Sequence, residues 1–169
     1  KAEILNAFVL EHGVSSVIEY GCGDGNQLGL AKYPSYTGFD VSPKAISICA
    51  EIFSGDETKT FKLMAEYGGE SAELTLSLDV IYHLVEDDVF AAYMNRLFDS
   101  STKFVAIYSS DYADGFSGTA SHVRHRHFSQ WVAANKVGWE LIKHIPNRYP
   151  LNRDTGGGSF SDFYIYAKS

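Results

Sequence analysis

The 169-residue chain is short of several things, and each shortage excludes a class of protein. No run of purely apolar side chains is longer than six residues, Val89 to Met94. A membrane-spanning helix needs ~20, so none is expected. Cysteine occurs only at Cys22 and Cys49, with no CxxC pair. Two thiols cannot make a disulfide framework or a cysteine-rich metal site, and a reducing, cytoplasmic setting is the default expectation. Only four prolines are present, and no repeat, low-complexity tract or Pro-rich linker divides the chain, so one domain over 1–169 is expected. Lys1 is not an initiator Met and no signal-peptide pattern opens the sequence, which reads as a start trimmed at its N-terminus. Basic residues are outnumbered, 14 Lys and Arg against 21 Asp and Glu, for a net charge of −7. That balance argues against a generally basic nucleic-acid binder.

What is present describes a globular α/β protein. Hydrophobic residues make up 45% and aromatics 14%, too much for a disordered chain. Ile4, Leu5, Phe8 and Val9 have helical spacing within Ala2–Glu11, and Gly13 stops that helix. Ser16–Tyr20, Tyr36–Val41, Thr58–Met64, Glu73–Ile81 and Lys103–Tyr108 read as strands. The last of these is nearly continuous in apolar residues, as strands buried on both faces are. Ser42 offers an N-cap and Pro43 a first helical residue for a helix through Phe53. Glu86, Asp87 and Asp88 suit the positive start of a helix running to Phe98. Phe128–Asn135 is a further helix, and Trp139–Ile145 and Phe160–Ala167 are closing strands with no helix between them. The expected fold is therefore a Rossmann-like, three-layer α/β sandwich with a seven-stranded, mostly parallel sheet and an antiparallel last strand.

The most specific stretch is Glu19-Tyr20-Gly21-Cys22-Gly23-Asp24-Gly25-Asn26-Gln27, where a strand ends in alternating glycines and a short helical segment is expected to follow. Glycines permit positive φ and let backbone pass close beneath a ligand, and at the end of a first strand that ligand is nucleotide-like. A dinucleotide fingerprint needs a third small residue, yet Asn26 or Leu28 stands there. A P-loop needs a Lys followed by Ser or Thr, and neither is present. The pattern E-x-G-x-G-x-G instead resembles motif I of the class I S-adenosylmethionine-dependent methyltransferases. The resemblance extends to Asp40 at the end of the second strand and to Ser77-Leu78-Asp79-Val80-Ile81-Tyr82-His83-Leu84 after the fourth. It covers nearly the whole chain. It departs from the family after the third strand, where Glu66 stands in for the usual Gly-Asp pair, and at the N-terminus, which is reduced to one helix.

The resemblance implies an enzyme using S-adenosyl-L-methionine and releasing S-adenosyl-L-homocysteine. It makes Glu19, Gly21, Cys22, Gly23, Gly25, Asn26, Gln27, Asp40, Val41, Glu66, Leu78 and Asp79 cofactor-binding candidates. Among these, Asp40 would bond the ribose hydroxyls, as a carboxylate accepting two hydrogen bonds can, and Val41 would lie against the adenine. His83, Tyr82 and Asp111 are the catalytic candidates. Substrate candidates are Tyr112, His122, Arg124, Arg148, Tyr149 and Arg153, on the loops after the fifth and sixth strands. His122, His125 and His127 have two interleaved arginines and no completing carboxylate, so no metal is expected. Residues 1–119 carry 7 basic and 18 acidic side chains, a balance of −11; residues 120–169 carry 7 and 3, a balance of +4. The basic C-terminal third favours a small polar or anionic, including sugar-like, acceptor. An RNA or protein acceptor is the second reading, and a non-enzymatic nucleotide-binding Rossmann module the third. The sequence leaves the oligomeric state open.

Overall fold

The computed structural model describes residues 1–112, 122–152 and 155–169. Among these residues, four α-helices and seven strands follow in the order α1 (Ala2–Glu11), β1 (Val17–Tyr20), β2 (Tyr36–Asp40), α2 (Pro43–Ile52), β3 (Lys59–Leu63), β4 (Ala72–Leu78), α3 (Asp87–Asp99), β5 (Ser101–Ser109), α4 (Phe128–Asn135), β6 (Trp139–Ile145) and β7 (Asp162–Lys168). The strands form one sheet ordered β3-β2-β1-β4-β5-β7-β6. Strand β1 runs parallel to β2 and β4, and β2 parallel to β3, whereas β7 is antiparallel to both β5 and β6. A connection without a crossover helix can only return the chain antiparallel in this way. The expected seven-stranded, mostly parallel sheet with its antiparallel last strand is the fold observed. The elements fall into two compact units, Lys1–Leu76 with Ser100–Lys103, and Ser77–Asp99 with Phe104–Ser169.

In the first unit, α1 buries Leu5, Phe8 and Val9 along one stripe. Gly13 takes φ +59, and the Gly13 N–H and Val14 N–H bond back to the Leu10 and Val9 carbonyls. These two bonds close a Schellman turn, which satisfies the last helical acceptors. All four β1 residues are buried, as befits a strand with a parallel neighbour on each side. Ser42 caps α2 by accepting from the Ala45 N–H at 3.3 Å, with Pro43 at the first helical position. Tyr20 stacks on Phe39 and donates its hydroxyl hydrogen to Ser100 Oγ at 2.9 Å. A buried phenol thereby keeps its polar end satisfied.

Two sequence expectations differ here in detail. Only a single 3-10 turn, Leu28–Leu30, follows the glycine loop. With Gly29 at its centre and Pro34 downstream, the segment is too short to nucleate an α-helix. Strand β4 ends at Leu78 rather than Ile81 because Asp79 adopts φ +61, the one positive φ among the described non-glycine residues. Aspartate tolerates that conformation better than most residues, and its N–H still bonds to the Tyr108 carbonyl.

The second unit is built on α3, whose Phe90, Met94, Leu97 and Phe98 are buried, and on Val105, Ala106 and Ile107 of β5. Phe98 meets Trp139 and Tyr166 edge-on, and Phe128 of α4 meets Tyr164 likewise. Such aromatic cores are costly to truncate, at about 3–5 kcal/mol for Phe to Ala. Among the described residues, no helix is long and apolar enough to cross a membrane.

Candidate functional site

The glycine loop is built in the first unit, where β1 ends. Gly21, Gly23 and Gly25 take φ +83, +58 and +80. The N–H groups of Gly21 and Cys22 both bond to the Phe39 carbonyl, holding the loop against β2. The glycines have different reasons to be glycine. A Cβ on Gly25 would lie 2.9 Å from the Phe53 ring and 3.1 Å from Cys49 Sγ. A Cβ on Gly23 would meet nothing within 4 Å, so packing does not demand Gly23, and its backbone borders open space. Gly38, on β2, is needed because a Cβ there would press on Cys22 at 2.9 Å.

Asp40 ties the loop to the start of α2. One carboxylate oxygen accepts from the Gly23 N–H and the other from the Ser42 N–H, each at 2.9 Å. Each oxygen retains a further lone pair. Next to it, Val41 is 81% exposed, an unusual setting for a valine beside a loop. Gln27 Nε2 is buried with no hydrogen-bond partner among the described residues, and a buried orphan donor is costly unless something else satisfies it. Asn26 turns inward on the loop, with its N–H and its amide both bonded to Asp24.

Two acids have structural partners. Glu19 is buried and accepts from Tyr36 Oη at 2.8 Å. Burial raises its pKa to about 7, against the opposing pull of the Tyr36 hydrogen bond. Glu66 is exposed, and its carboxylate accepts from the Leu63 N–H at 2.7 Å. Cys22 is buried, and burial together with the neighbouring Cys49 pushes its thiol far up. That makes it an inert packing group rather than a nucleophile.

The remaining candidates lie in the second unit. Leu78 is buried, and Asp79 accepts from Ser161 Oγ at 3.3 Å and bonds to Tyr82. Desolvation and Asp79 raise the Tyr82 hydroxyl pKa, so Tyr82 stays a phenol. Its ring meets Phe160 edge-on at 4.9 Å. His83 is exposed, with Nδ1 3.4 Å from the His122 carbonyl and its ring stacked on His122. Tyr112 Oη lies 3.3 Å from His125 Nε2, and Ser110 Oγ lies 2.7 Å from His125 Nδ1. Asp111 spends both oxygens on Ser129, bonding its N–H and hydroxyl, and so caps α4 from outside the helix.

Arg124 and Arg126 clasp the segment before α3. The Arg124 N–H bonds to the Tyr82 carbonyl, and its guanidinium bonds to the Val85 carbonyl and Asp87. Arg126 bonds to the Leu84 and Val85 carbonyls and to Asp87, and lies over the Phe90 ring at 4.8 Å. These cations hold the Asp87 carboxyl below the usual range, Arg126 foremost. Arg148 and Tyr149 are exposed, on a loop anchored by Asn147 to Tyr108 Oη and the Ser161 carbonyl. Arg153 lies outside the described residues. Among those described, no three His, Cys, Asp or Glu side chains come together to hold a metal.

The sequence reading did not single out His125, Ser110, Phe160 or Ser161 as site residues. A buried histidine held between two hydroxyls has no local signature. The only hint for His125 was its place in the His122 to His127 cluster.

With this geometry in hand, the comparison with solved structures is specific about fold. The strand order is that of the class I S-adenosylmethionine-dependent methyltransferase fold. The methyltransferase domain of the bacterial protein CtHen1-C superposes with a TM-score of 0.75 at 14% identity, over 99% of this chain and 96% of that one. Magnesium protoporphyrin IX methyltransferase from Synechocystis, with bound S-adenosylhomocysteine, gives 0.73 at 16% identity, over 99% and 82%. The N-methyltransferase NodS from Bradyrhizobium japonicum gives 0.71 at 13% identity, over 98% and 95%. No protein-family model matches the chain, and no curated protein matches it in sequence.

Proposed function

We propose that the chain is an S-adenosylmethionine-dependent methyltransferase, one domain over 1–169, acting on a small polar or anionic acceptor in a reducing, cytoplasmic setting. The observation that carries the reading is the glycine loop at the end of β1, tied through Gly23 to Asp40 at the end of β2. That pairing sits on the strand order of the methyltransferase fold. The residues present fit the cofactor. Asp40 has a lone pair left on each oxygen for ribose hydroxyls. Val41 offers an exposed apolar surface for adenine. The open side of Gly23 allows close approach, and the orphan Gln27 amide is a donor in want of an acceptor. Gly21, Cys22, Gly25 and Asn26 shape the loop, and Glu19, Glu66, Leu78 and Asp79 complete the candidate set. The two buried free thiols suit a reducing compartment.

When bound, the cofactor supplies a methyl group on a sulfonium, a good leaving group for in-line displacement. The chain's own work is then placement and exclusion of water. Tyr82, uncharged and fixed by Asp79 and Phe160, is suited to positioning. Where the acceptor must lose a proton, an imidazole is the natural base; His83 is the exposed one, and His125 is hydrogen-bonded to Tyr112. Asp111, His122, Arg124, Arg148, Tyr149 and Arg153 complete the acceptor-side candidates. The +4 balance of residues 120–169 supports the polar or anionic acceptor, although Arg124 and Arg126 spend much of their charge internally.

Calorimetric titration with S-adenosylmethionine, S-adenosylhomocysteine and NAD tests the reading. Binding of both sulfur nucleotides and not NAD is expected; failure to bind either overturns it. Binding without methyl transfer across a panel of polar metabolites would favour a non-enzymatic module. RNA binding that weakens steeply with salt would favour the macromolecular acceptor.

A further inference from the structure

Strand β6 is the terminal strand of the sheet, after β7. Residues 140–144 are exposed, including Leu141 at 47% and Ile142 at 45%. A row of unpaired backbone donors and acceptors beside exposed aliphatic side chains is a template for another strand. The sequence of β6, Trp-Glu-Leu-Ile-Lys-His-Ile, indicates which one. Opposite β7, Glu140 faces Ala167 and Lys143 faces Ile165, with the register slipping between Leu141 and Lys143. Ala167 and Ile165 are two apart and share a face of β7. The extra residue, Ile142, therefore brings Lys143 onto the same face as Glu140. Among the described residues neither side chain has a hydrogen-bonding or ion-pair partner.

We infer that β6 pairs antiparallel with β6 of a second copy of this chain, about a two-fold axis between Leu141 and Ile142. In that register Glu140 faces Lys143 of the second copy, Lys143 faces its Glu140, and Leu141 faces its Ile142. Opposite charges directly across an antiparallel pair are favourable and like charges are not. The interface is isologous, as a two-fold requires. A lysine and a bulge are also what natural edges use against stray strands. With Glu140 at the mirrored position they turn away strangers and accept only their own complement. The inference is independent of the methyltransferase reading.

Light scattering coupled to size exclusion, across the micromolar range, tests it. The native chain should elute at twice the 18.7 kDa of one copy. Lys143→Glu and Glu140→Lys should each shift the population to the monomer. Mixing the two variants should restore a dimer, because each then presents the other's complement. An unfolded variant could not do this. A native chain that is monomeric throughout, or a dimer that ignores both charge reversals, would overturn the inference.

Discussion

Glu19 gives the account a quantitative handle. It is 4% exposed and accepts a hydrogen bond from the Tyr36 hydroxyl at 2.8 Å. Desolvation lifts its pKa from 4.5 to about 7, more than that single hydrogen bond can offset. The folded protein therefore keeps a proton that the unfolded chain releases between pH 4.5 and 7. The stabilisation is complete below pH 4.5 and is lost as pH rises through 7. A displacement of this size corresponds to about 3 kcal/mol, most of it falling between pH 5 and 8. Glu19→Gln keeps the shape and the acceptor for Tyr36 but removes the titration. Urea unfolding of both proteins, followed by the fluorescence of Trp131 and Trp139 at several pH values, isolates the effect, because all other titrating groups cancel in the difference. The variant should gain about 2–3 kcal/mol relative to the native chain on going from pH 5 to pH 8. Parallel stability curves would refute the reasoning and mean that Glu19 is ionised and solvated in the fold.

Gly25→Ala should cost about 1–3 kcal/mol, since it adds a Cβ at φ +80 against the Phe53 ring; thermal unfolding measures this. Gly23→Ala meets no atom and should cost only the backbone term of about 1–2 kcal/mol. It should nevertheless weaken S-adenosylhomocysteine binding if a ligand passes over that position. Arg126→Ala removes bonds to two carbonyls and Asp87 and a cation over Phe90, and should destabilise by about 2–3 kcal/mol in urea. Arg148→Ala, at an exposed position, should leave stability within about 0.5 kcal/mol.

These contrasts mark what the sequence could and could not convey. Local chemistry was legible. Ser42-Pro43 starts α2, Gly13 closes α1, and the absence of a helix before β7 forces an antiparallel strand. Each outcome depends on residues close together in the chain. The glycine loop was legible for the same reason, and Asp40 was singled out through the family resemblance, but the bond that ties Gly23 to it across 17 residues was not. Contacts at greater separation were not. Arg124 read as a substrate-facing residue and Arg126 only as its interleaved neighbour; the bonds that both guanidinium groups make to backbone carbonyls about forty residues away had no local signature. The bonds from Ser129 to Asp111, a catalytic candidate, had no local signature either. A charged side chain takes whichever partner the fold brings near, and that choice is made in three dimensions. Asp79 illustrates a related limit. Its positive φ ends β4, while the strongly apolar stretch Glu73–Ile81 suggested that the strand continued to Ile81.

The central claim is that Asp40 and the glycine loop hold the nucleoside of S-adenosylmethionine. Calorimetric titration of the native chain and Asp40→Ala with S-adenosylhomocysteine tests it most directly. The account predicts saturable one-to-one binding by the native chain, weakened by about 1.5–3 kcal/mol in a variant that remains folded. Absence of binding, or an affinity that Asp40→Ala leaves unchanged, would contradict it.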